Sequence, residues 1–226
     1  MPKPKIIIVI PAYNEAKRIG NVLDTLTKHG HKHVIVVDDG SEDETSAVAA
    51  QHGATVLTHL VNRGYGAAIK TGLDHAKTLN ADVVVTFDAD GQHDPTDIAP
   101  VIAPILNGTA DVVNGARTKN RSQMPAIRRL GNWGLNIITW LFFHAYVTDS
   151  QSGFKAYSPL ALTKIDPKLD RYEFCSEIMH EIQRNKLRLA EVPITVIYTQ
   201  ESIAKGQSIL GGIKTAWGMM KRVLLS

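Results

Sequence analysis

Continuous apolar runs alternate, along the first half of this chain, with stretches in which apolar residues recur every three or four positions. The first run, at residues 5–11, is rich in β-branched residues, which is typical of a parallel strand buried on both faces. Helical spacing follows from Ile19 to Leu26 and ends near Gly30, and a second run occupies residues 34–37. This order predicts a strand–helix–strand unit.

The same alternation continues through the rest of the chain. Ser41 and Glu44 stand three residues apart ahead of further apolar positions, which predicts a capping box at the start of a second helix. The remaining predicted elements are a strand at 55–57, a helix at 66–79, strands at 82–87 and 111–115, a helix at 128–143, a loop at 148–154, a helix at 174–185 and a strand at 190–198. The pattern indicates a doubly wound α/β fold, with a Rossmann-like, mostly parallel central sheet and helices on both faces.

Composition narrows the classes of protein that fit. A chain of 226 residues suits a single domain over residues 1–226. The net charge of +3 is mild and the basic residues form no long run, so a nucleic-acid partner is not expected. Cys175 is the single cysteine, which excludes an intramolecular disulfide and favours a cytoplasmic location. No segment reaches the ~18 to 20 apolar residues that span a bilayer.

The run at residues 82–87 leads directly into two carboxylates, Asp88 and Asp90. In an extended chain these side chains point the same way, and two like charges so close favour a bound cation such as Mg²⁺ or Mn²⁺. Taken alone, the pair is more typical of an ordinary acidic turn. However, residues 11–15 and the pair Asp38 and Asp39 also follow predicted strands, and ligands of such sheets bind beyond the carboxyl ends of the strands.

Five ordered motifs carry a resemblance to a known family. They read IPAYNE at 10–15, VDDGSEDET at 37–45, NRGYG at 62–66, DADGQH at 88–93 and DSQSGFKAY at 149–157. Together they resemble the inverting family 2 glycosyltransferases, which have a GT-A fold. The last two motifs are similar to the polyprenyl-phosphate branch, typified by dolichyl-phosphate mannose synthase. The resemblance implies transfer of a hexose, mannose or glucose, from GDP-mannose or a UDP-sugar to a polyprenyl or dolichyl phosphate.

The resemblance also implies roles for residues on the donor side. The residues expected to border the base and ribose are Pro11, Tyr13, Glu15 and Asp39, with Asp38 supporting the turn. Asp88, Asp90 and Gln92 would hold Mg²⁺ or Mn²⁺ against the diphosphate. Arg117, at the end of the strand-like run 112–116, would face a phosphate. Each of these residues has a purely structural alternative, such as packing for Tyr13 or capping for Asp38.

An acceptor that is already anionic needs cations more than it needs a base. A saccharide hydroxyl must lose a proton during attack, whereas a phosphate monoester need not. The residues expected to offset its charge are Arg128, Arg129 and Lys155, with Arg128 and Asn132 spaced like an arginine–serine pair of related enzymes. Asp149 is a weaker candidate for organising this acceptor site. A solvated helix start is the structural alternative for the two arginines.

Two apolar stretches suggest a membrane surface as partner. Residues 133–143 are apolar nearly all round, and residues 209–225 combine apolar positions with lysine and arginine, as in an amphipathic helix. Core or oligomer packing is the alternative for both. The chain is therefore expected at the cytosolic face of a membrane as a peripheral protein, with a membrane-anchoring partner or a homo-oligomer left open.

One departure from the branch concerns the donor. An arginine that closes over the donor phosphates in dolichyl-phosphate mannose synthases has no exact counterpart, and Lys205 is the nearest cation in that stretch. GDP-mannose is thus not assured. The alternatives considered are a saccharide hydroxyl as acceptor, a non-catalytic nucleotide-sugar-binding subunit, and a sugar-1-phosphate nucleotidyltransferase, whose usual glycine-rich signature is missing from residues 11–15.

Overall fold

The four apolar runs of the first half form neighbouring parallel strands. A computed structural model describes residues 3–120, 133–134, 136–137, 147–167 and 174–197. The strands are β1 (Ile6–Ala12), β2 (Val34–Asp38), β3 (Thr55–Thr58) and β4 (Val83–Thr86). β1 pairs with β2 on one side and with β4 on the other, which makes it a central strand. Its residues after Ile6 are all buried, as their β-branched character predicts.

Each connection between these strands carries a helix. The helices are α1 (Ala16–Lys28), α2 (Thr45–Gln51) and α3 (Tyr65–Thr78). α1 buries Ile19, Leu23 and Leu26, which recur at helical spacing on one face. α3 instead presents mostly small residues to the sheet, and this lets its backbone approach β1 closely.

Three more strands and three more helices have bounds within the described residues of the second half. In chain order they are a 3₁₀ turn (Pro95–Asp97), α4 (Ile98–Leu106), β5 (Val112–Ala116), β6 (Lys155–Tyr157), α5 (Pro159–Lys164), α6 (Phe174–Arg184) and β7 (Leu189–Pro193). The sheet has the order β3-β2-β1-β4-β6-β5-β7. β6 runs antiparallel to both of its neighbours, with Ala156 opposite Val85 and Val113, while every other pairing is parallel.

Hydrophobic layers cover both faces of the sheet. On one face, Leu23 of α1 and Ile98 of α4 belong to a cluster with Val85. On the other, Ile69 of α3 and Ile178 of α6 belong to a cluster with Val84, the next residue of the same strand. Successive strand residues point to opposite faces, so one apolar run serves both layers. The prediction of a doubly wound, mostly parallel sheet is confirmed.

Several local predictions need correction. The capping box is wrong: α2 begins at Thr45, and the Ser41 hydroxyl oxygen accepts the Asn14 amide at 2.9 Å instead. The Asp43 carboxylate accepts the Thr45 amide at 3.0 Å, because it lies closer to the free end of the helix. The strand predicted at 190–198 is shorter and ends at Pro193. The sequence reading also missed α4, β6 and α5.

Some predictions fall outside the described residues. These are most of the helix at 128–143, in which residues 133–134 and 136–137 are helical, and the amphipathic helix at 209–225. Among the described residues, no helix has the length and apolar character needed to cross a bilayer.

Candidate active site

The turns that follow β1 and β2 interlock at the carboxyl edge of the sheet. The Asn14 side-chain oxygen accepts the Glu42 amide at 2.9 Å, and the Glu15 amide donates to Thr45 Oγ1 at 2.9 Å. Asn14 has a φ of 55°, in the left-handed region that asparagine tolerates better than most residues. The first two motifs of the sequence therefore form one rigid unit.

Three residues predicted to border a nucleoside lie on this unit. Pro11 is buried within β1. Tyr13 is 42% exposed, so its ring is open to a ligand rather than packed in the core. The Glu15 carboxylate pairs with Arg18 at 2.7 Å. Their contact with a base or ribose stays a prediction.

The Asp38 carboxylate stabilises the turn between β2 and α2. Its carboxylate accepts the Ser41 amide at 3.0 Å and the Ser46 hydroxyl. This matches the supporting role expected for Asp38, since both carboxylate oxygens accept hydrogen bonds from the helix-entry segment.

Asp39 ties the second motif to the third. Its buried carboxylate accepts the backbone amides of Arg63 at 2.9 Å and Gly64 at 2.7 Å, and lies 2.7 Å from His59 Nδ1. His59 Nε2 is in turn 2.9 Å from Thr71 Oγ1 on α3. Asp39 thus shapes the cleft through the 62–66 loop. The sequence reading missed His59, because it lies 20 residues from Asp39 and outside every motif.

Asp88 lies directly beyond β4 and is held on both oxygens. His93 Nε2 is 2.9 Å from Oδ2, and the Tyr65 hydroxyl donates to Oδ1 at 3.1 Å. Burial raises the pKa of Asp88, but the hydrogen bonds from His93 and Tyr65, together with the nearby Arg117 charge, bring it below its ordinary value. Asp88 is therefore a fixed anion. The roles of Tyr65 and His93 were not predicted.

Asp90 has the opposite electrostatic setting. The Gln92 amide donates to its Oδ1 at 2.9 Å, and the Gln92 side chain bonds its Oδ2. Burial raises the pKa of Asp90, and the neighbouring Asp88 charge raises it further. A divalent cation at this turn would relieve the repulsion between the two carboxylates.

The oxygen atoms of Asp88, Asp90 and Gln92 are suitable ligands for a hard cation. Two carboxylates and one amide oxygen are oxygen ligands of the kind that Mg²⁺ and Mn²⁺ prefer, and Mg²⁺ usually completes its shell with water and substrate phosphates. In the part of the chain that the structure describes, no three His, Cys, Asp or Glu side chains converge as a closed metal site. A cation held by Asp88, Asp90 and Gln92 would need water or substrate oxygens to complete its shell.

Arg117 and Asp149 form a bidentate ion pair at the end of β5. Arg117 Nε donates to Oδ2 at 2.6 Å and its Nη2 donates to Oδ1 at 2.7 Å, while the Arg117 amide also donates to Oδ2 at 3.1 Å. Burial raises the pKa of Asp149, and the Arg117 charge and hydrogen bonds outweigh this and lower it. Arg117 also lies near enough to help lower the pKa of Asp88. Its contact with a phosphate stays a prediction.

Lys155 was predicted to offset the charge of an acceptor phosphate, but its side chain is buried. The residue lies on β6 and its ammonium donates to the Ser152 carbonyl. Burial lowers the pKa of Lys155, with Asp149 among the charges that oppose this effect. A direct contact with a phosphate would require this buried group to be uncovered. Arg128, Arg129 and Lys205 lie outside the described residues.

Side-chain hydrogen bonds from β4 and β5 hold the 148–154 loop beside the 88–93 turn. Thr86 Oγ1 donates to the Gly153 carbonyl at 2.6 Å, and Asn114 Nδ2 donates to the Asp149 carbonyl at 3.0 Å. A Cβ atom at Gly153 would lie 2.5 Å from the Tyr65 hydroxyl and 2.6 Å from Asp88 Oδ1. Glycine is therefore required here by close approach, a constraint that the motif contains but does not explain.

A cavity of about 590 Å³ lies beside Asp90. The side of α1 forms one wall through Arg18 and Val22, and Phe87 and Ile197 add apolar surface. The 88–93 turn therefore borders a partly apolar cavity.

The sheet order, the antiparallel β6 and the acidic turns at the carboxyl edge define a glycosyltransferase of the GT-A fold. Residues 7–163 match the family described as Glycosyl transferase family 2, and the chain belongs to this family. The family resemblance carried by the five motifs is confirmed, and so is the prediction of a glycosyltransferase.

Known relatives and solved structures support the same classification. The UDP-N-acetylglucosamine–dolichyl-phosphate N-acetylglucosaminyltransferase of Methanococcus voltae is 42% identical, over 95% of this chain and 94% of that protein. The dolichyl-phosphate hexose transferase of Haloferax volcanii is 32% identical, over 84% of this chain and 81% of that protein. The glucosyl-3-phosphoglycerate synthase of Mycobacterium tuberculosis, crystallised with Mn²⁺ and UDP, shares the fold at a TM-score of 0.71 with 21% identity, covering 98% of this chain and 79% of that one.

Proposed function

We propose that this protein transfers a sugar from a nucleotide sugar to a polyprenyl or dolichyl phosphate, with inversion and with Mg²⁺ or Mn²⁺. The relatives named above for a dolichyl-phosphate acceptor favour the lipid phosphate. The name of the Methanococcus voltae protein adds N-acetylglucosamine to glucose and mannose as candidate sugars, and favours a UDP-sugar over GDP-mannose.

The state of Asp149 is the observation that carries the choice of acceptor. A saccharide hydroxyl requires a general base, and a carboxylate at the acceptor loop is the natural candidate. Asp149 is instead bound on both oxygens by Arg117, and its pKa is lowered. A carboxylate in this state is a weak base. A phosphate monoester, which is already anionic, needs no such base.

On the donor side, Tyr13, Glu15 and Pro11 would form the wall against the nucleoside, and Asp39 would keep the 62–66 loop in place below it. Asp88, Asp90 and Gln92 would hold the cation. When bound, that cation supplies stabilisation of the charge that develops on the nucleoside diphosphate. Lys205 would approach the donor phosphates from the C-terminal segment.

On the acceptor side, the protein must place one anion in line with another. Arg117 would face the phosphates at the cleft while Asp149 fixes its guanidinium in the plane of their ion pair. Arg128 and Arg129 would offset the acceptor charge, and the buried Lys155 would support the loop from below. Positioning and charge neutralisation account for catalysis in this scheme. The stretches 133–143 and 209–225 would contact the cytosolic membrane surface.

The test is a transfer assay with matched acceptors. The purified chain is incubated with UDP-N-acetylglucosamine, UDP-glucose or GDP-mannose and Mn²⁺ or Mg²⁺, in the presence of a short polyprenyl phosphate, the corresponding polyprenol, or simple saccharides. We expect product from the polyprenyl phosphate and none from the polyprenol, because the phosphate is the nucleophile. Transfer to saccharides alone would contradict the proposal and favour the hydroxyl acceptor.

A second arm of the assay examines the acceptor cations. Arg128→Ala and Arg129→Ala are expected to raise the KM for the polyprenyl phosphate while the KM for the donor changes little. Lost charge-assisted hydrogen bonds of this kind cost about 1.5–3 kcal/mol, or roughly 10- to 150-fold. Unchanged acceptor saturation in both variants would place the acceptor phosphate elsewhere.

A further inference from the structure

His93 is the buried last residue of the DADGQH motif, and no role was predicted for it. Its ring lies edge-on between Phe87, at a centroid distance of 5.3 Å, and Phe154, at 5.1 Å, and the residue is 5% exposed. A β-bridge to Val196 fixes its backbone. The ring is therefore held in one orientation, with Nε2 at 2.9 Å from Asp88 Oδ2.

The other ring nitrogen identifies the tautomer. Within the described residues, Nδ1 of His93 is buried and has no hydrogen-bond partner. A proton on Nδ1 would be buried against apolar side chains without an acceptor. Such an unsatisfied donor costs about 1–3 kcal/mol. A proton on Nε2 instead donates to a carboxylate. The geometry thus selects the Nε2-protonated ring, which is a donor aimed at Asp88.

Asp88 is also held from two other sides. Tyr65 donates to its second oxygen, and the Tyr65 ring is in turn in edge contact with Phe174 at 6.5 Å. Gly153 lies so close that a Cβ atom there would meet both carboxylate oxygens within 2.7 Å. The carboxylate therefore cannot turn away from Asp90 without losing a donor or colliding with the loop.

We propose that His93 is a positioning residue for the divalent cation: its Nε2–H holds Asp88 in the orientation in which Asp88 and Asp90 share the ion. This inference rests on the proposed metal site. Without the donor, repulsion between the two carboxylates turns Asp88 away, and the ion loses one charged neighbour. Groups that orient metal ligands typically contribute 10- to 100-fold to metal affinity or activity.

The test measures metal binding itself. The affinity for Mn²⁺ in the presence of UDP is determined by calorimetry or by the electron paramagnetic resonance signal of free Mn²⁺. His93→Phe keeps an aromatic ring between Phe87 and Phe154 and removes the donor, and it is expected to weaken Mn²⁺ binding by about 10- to 100-fold. His93→Gln, whose amide nitrogen can reach the position of Nε2, is expected to retain most of the affinity. Equal affinities for the Phe variant and the wild type would overturn the inference.

Two further variants still test the role of His93 if His93→Phe fails to fold. His93→Asn is polar but too short to reach Asp88, so it is expected to lose affinity where His93→Gln keeps it; equal affinities for the pair contradict the proposal. His52→Phe is the matched control. It removes an outlying histidine whose Nδ1 lies 2.7 Å from Asp24 Oδ1, and no change in Mn²⁺ affinity is expected.

Asp90→Ala separates this inference from the proposed function. If Asp90→Ala binds Mn²⁺ and UDP as the wild type does, the proposed metal site is wrong. If Asp90→Ala loses binding while His93→Phe retains it, the metal site stands and the role of His93 is wrong. Nitrogen-15 spectra of the histidine rings, with His93→Gln for assignment, should show the Nε2-protonated tautomer. A proton on Nδ1 would refute the assignment.

Discussion

Asp88 and Asp90 are two residues apart in one turn, yet their protein surroundings treat them differently. Asp88 receives hydrogen bonds from the side chains of His93 and Tyr65, and its pKa is lowered. Burial and the Asp88 charge raise the pKa of Asp90. One carboxylate is thus a permanently charged anchor, and its partner gains most from a cation. This asymmetry is a property of single residues and their contacts.

Asp90→Ala should abolish metal-dependent transfer without unfolding the protein. Loss of the charge stabilisation that a metal supplies is worth several kcal/mol, so we expect a fall of about 100-fold or more in kcat/KM at saturating Mn²⁺. Circular dichroism should be unchanged. Asp94→Ala is the control: Asp94 accepts the Thr96 amide at 2.9 Å and caps a 3₁₀ turn, so its loss should cost stability but not metal dependence. Full transfer by the Asp90 variant would disprove the metal assignment.

Gly153→Ala adds a single methyl group between the 148–154 loop and the 88–93 turn. The new Cβ atom would lie 2.5 Å from the Tyr65 hydroxyl and 2.6 Å from Asp88 Oδ1, so the loop or the carboxylate must shift. A displacement of about 1 Å at a reacting centre can cost 10²-fold. We expect kcat to fall by about that factor while the midpoint of thermal unfolding falls by only a few degrees. A variant with full activity would show that the loop moves freely.

At the scale of elements, the site depends on how closely α3 approaches β1. Gly72 lies on the buried face of α3, and a Cβ atom there would be 2.2 Å from Val9 Cγ1. The backbone amides of Arg63 and Gly64, directly before α3, donate to Asp39, so the distance between helix and sheet also positions the proposed nucleoside site. A glycine inside a helix ordinarily costs about 1 kcal/mol relative to alanine. Here the close approach outweighs that cost.

Gly72→Ala should therefore destabilise the fold despite its higher helix propensity. Overpacking in a tight core costs about 1–3 kcal/mol, which urea unfolding measures as a lower midpoint at an unchanged m-value. Val9→Ala removes the atoms that the new methyl group meets. The double variant should accordingly lose less stability than the two single losses added together, by about 0.5–3 kcal/mol. Strict additivity would mean that α3 moves away from the sheet instead.

At the scale of the whole molecule, ion pairs join distant parts of the chain. Arg188 donates to Asp111 through Nε at 3.0 Å and Nη2 at 2.7 Å, and the Arg117 pair with Asp149 joins β5 to the 148–154 loop. Hydrogen bonds from Arg188 lower the pKa of Asp111, and those from Arg117 lower the pKa of Asp149 against the opposing effect of burial. A carboxyl group whose pKa is lower in the folded state stabilises the fold above its unfolded pKa. That contribution disappears as the pH falls through the folded pKa.

The free energy of unfolding should therefore fall as the pH drops below about 4, the ordinary carboxyl value. Asp149→Asn should cost roughly 2 kcal/mol at pH 7, because it removes charge-assisted hydrogen bonds. The difference between this variant and the wild type should shrink at pH 2 to 3, where the wild-type carboxylate also becomes protonated. Asp74→Asn, at an exposed position, is the control and should change little at either pH. A constant Asp149 difference across this range would contradict the linkage.

Much of the fold was predictable because its first half repeats a strong local pattern. A β-branched run between turn residues can be buried on both faces only in a parallel sheet, and Ile19 to Leu26 have the spacing of a helix. The three-residue strand β6 carries no such pattern. Its antiparallel place between β4 and β5 comes from pairing partners about 70 and 40 residues away. Local periodicity contains no information about such partners.

The sequence by itself determined the family, the α/β class and the acidic turns that contain Asp39, Asp88 and Asp90, because each depends on neighbours in the chain or on motif order. The tertiary structure decided which groups bind these carboxylates. His59 binds Asp39 from outside every motif, Tyr65 binds Asp88 from a different motif, and His93 lies in the same motif as Asp88 but its contact with Asp88 could not be read from spacing. Lys155, predicted to offset a phosphate charge, is buried. Charge state and orientation at the site depend on these through-space contacts, and folding of the whole sheet is what brings them together.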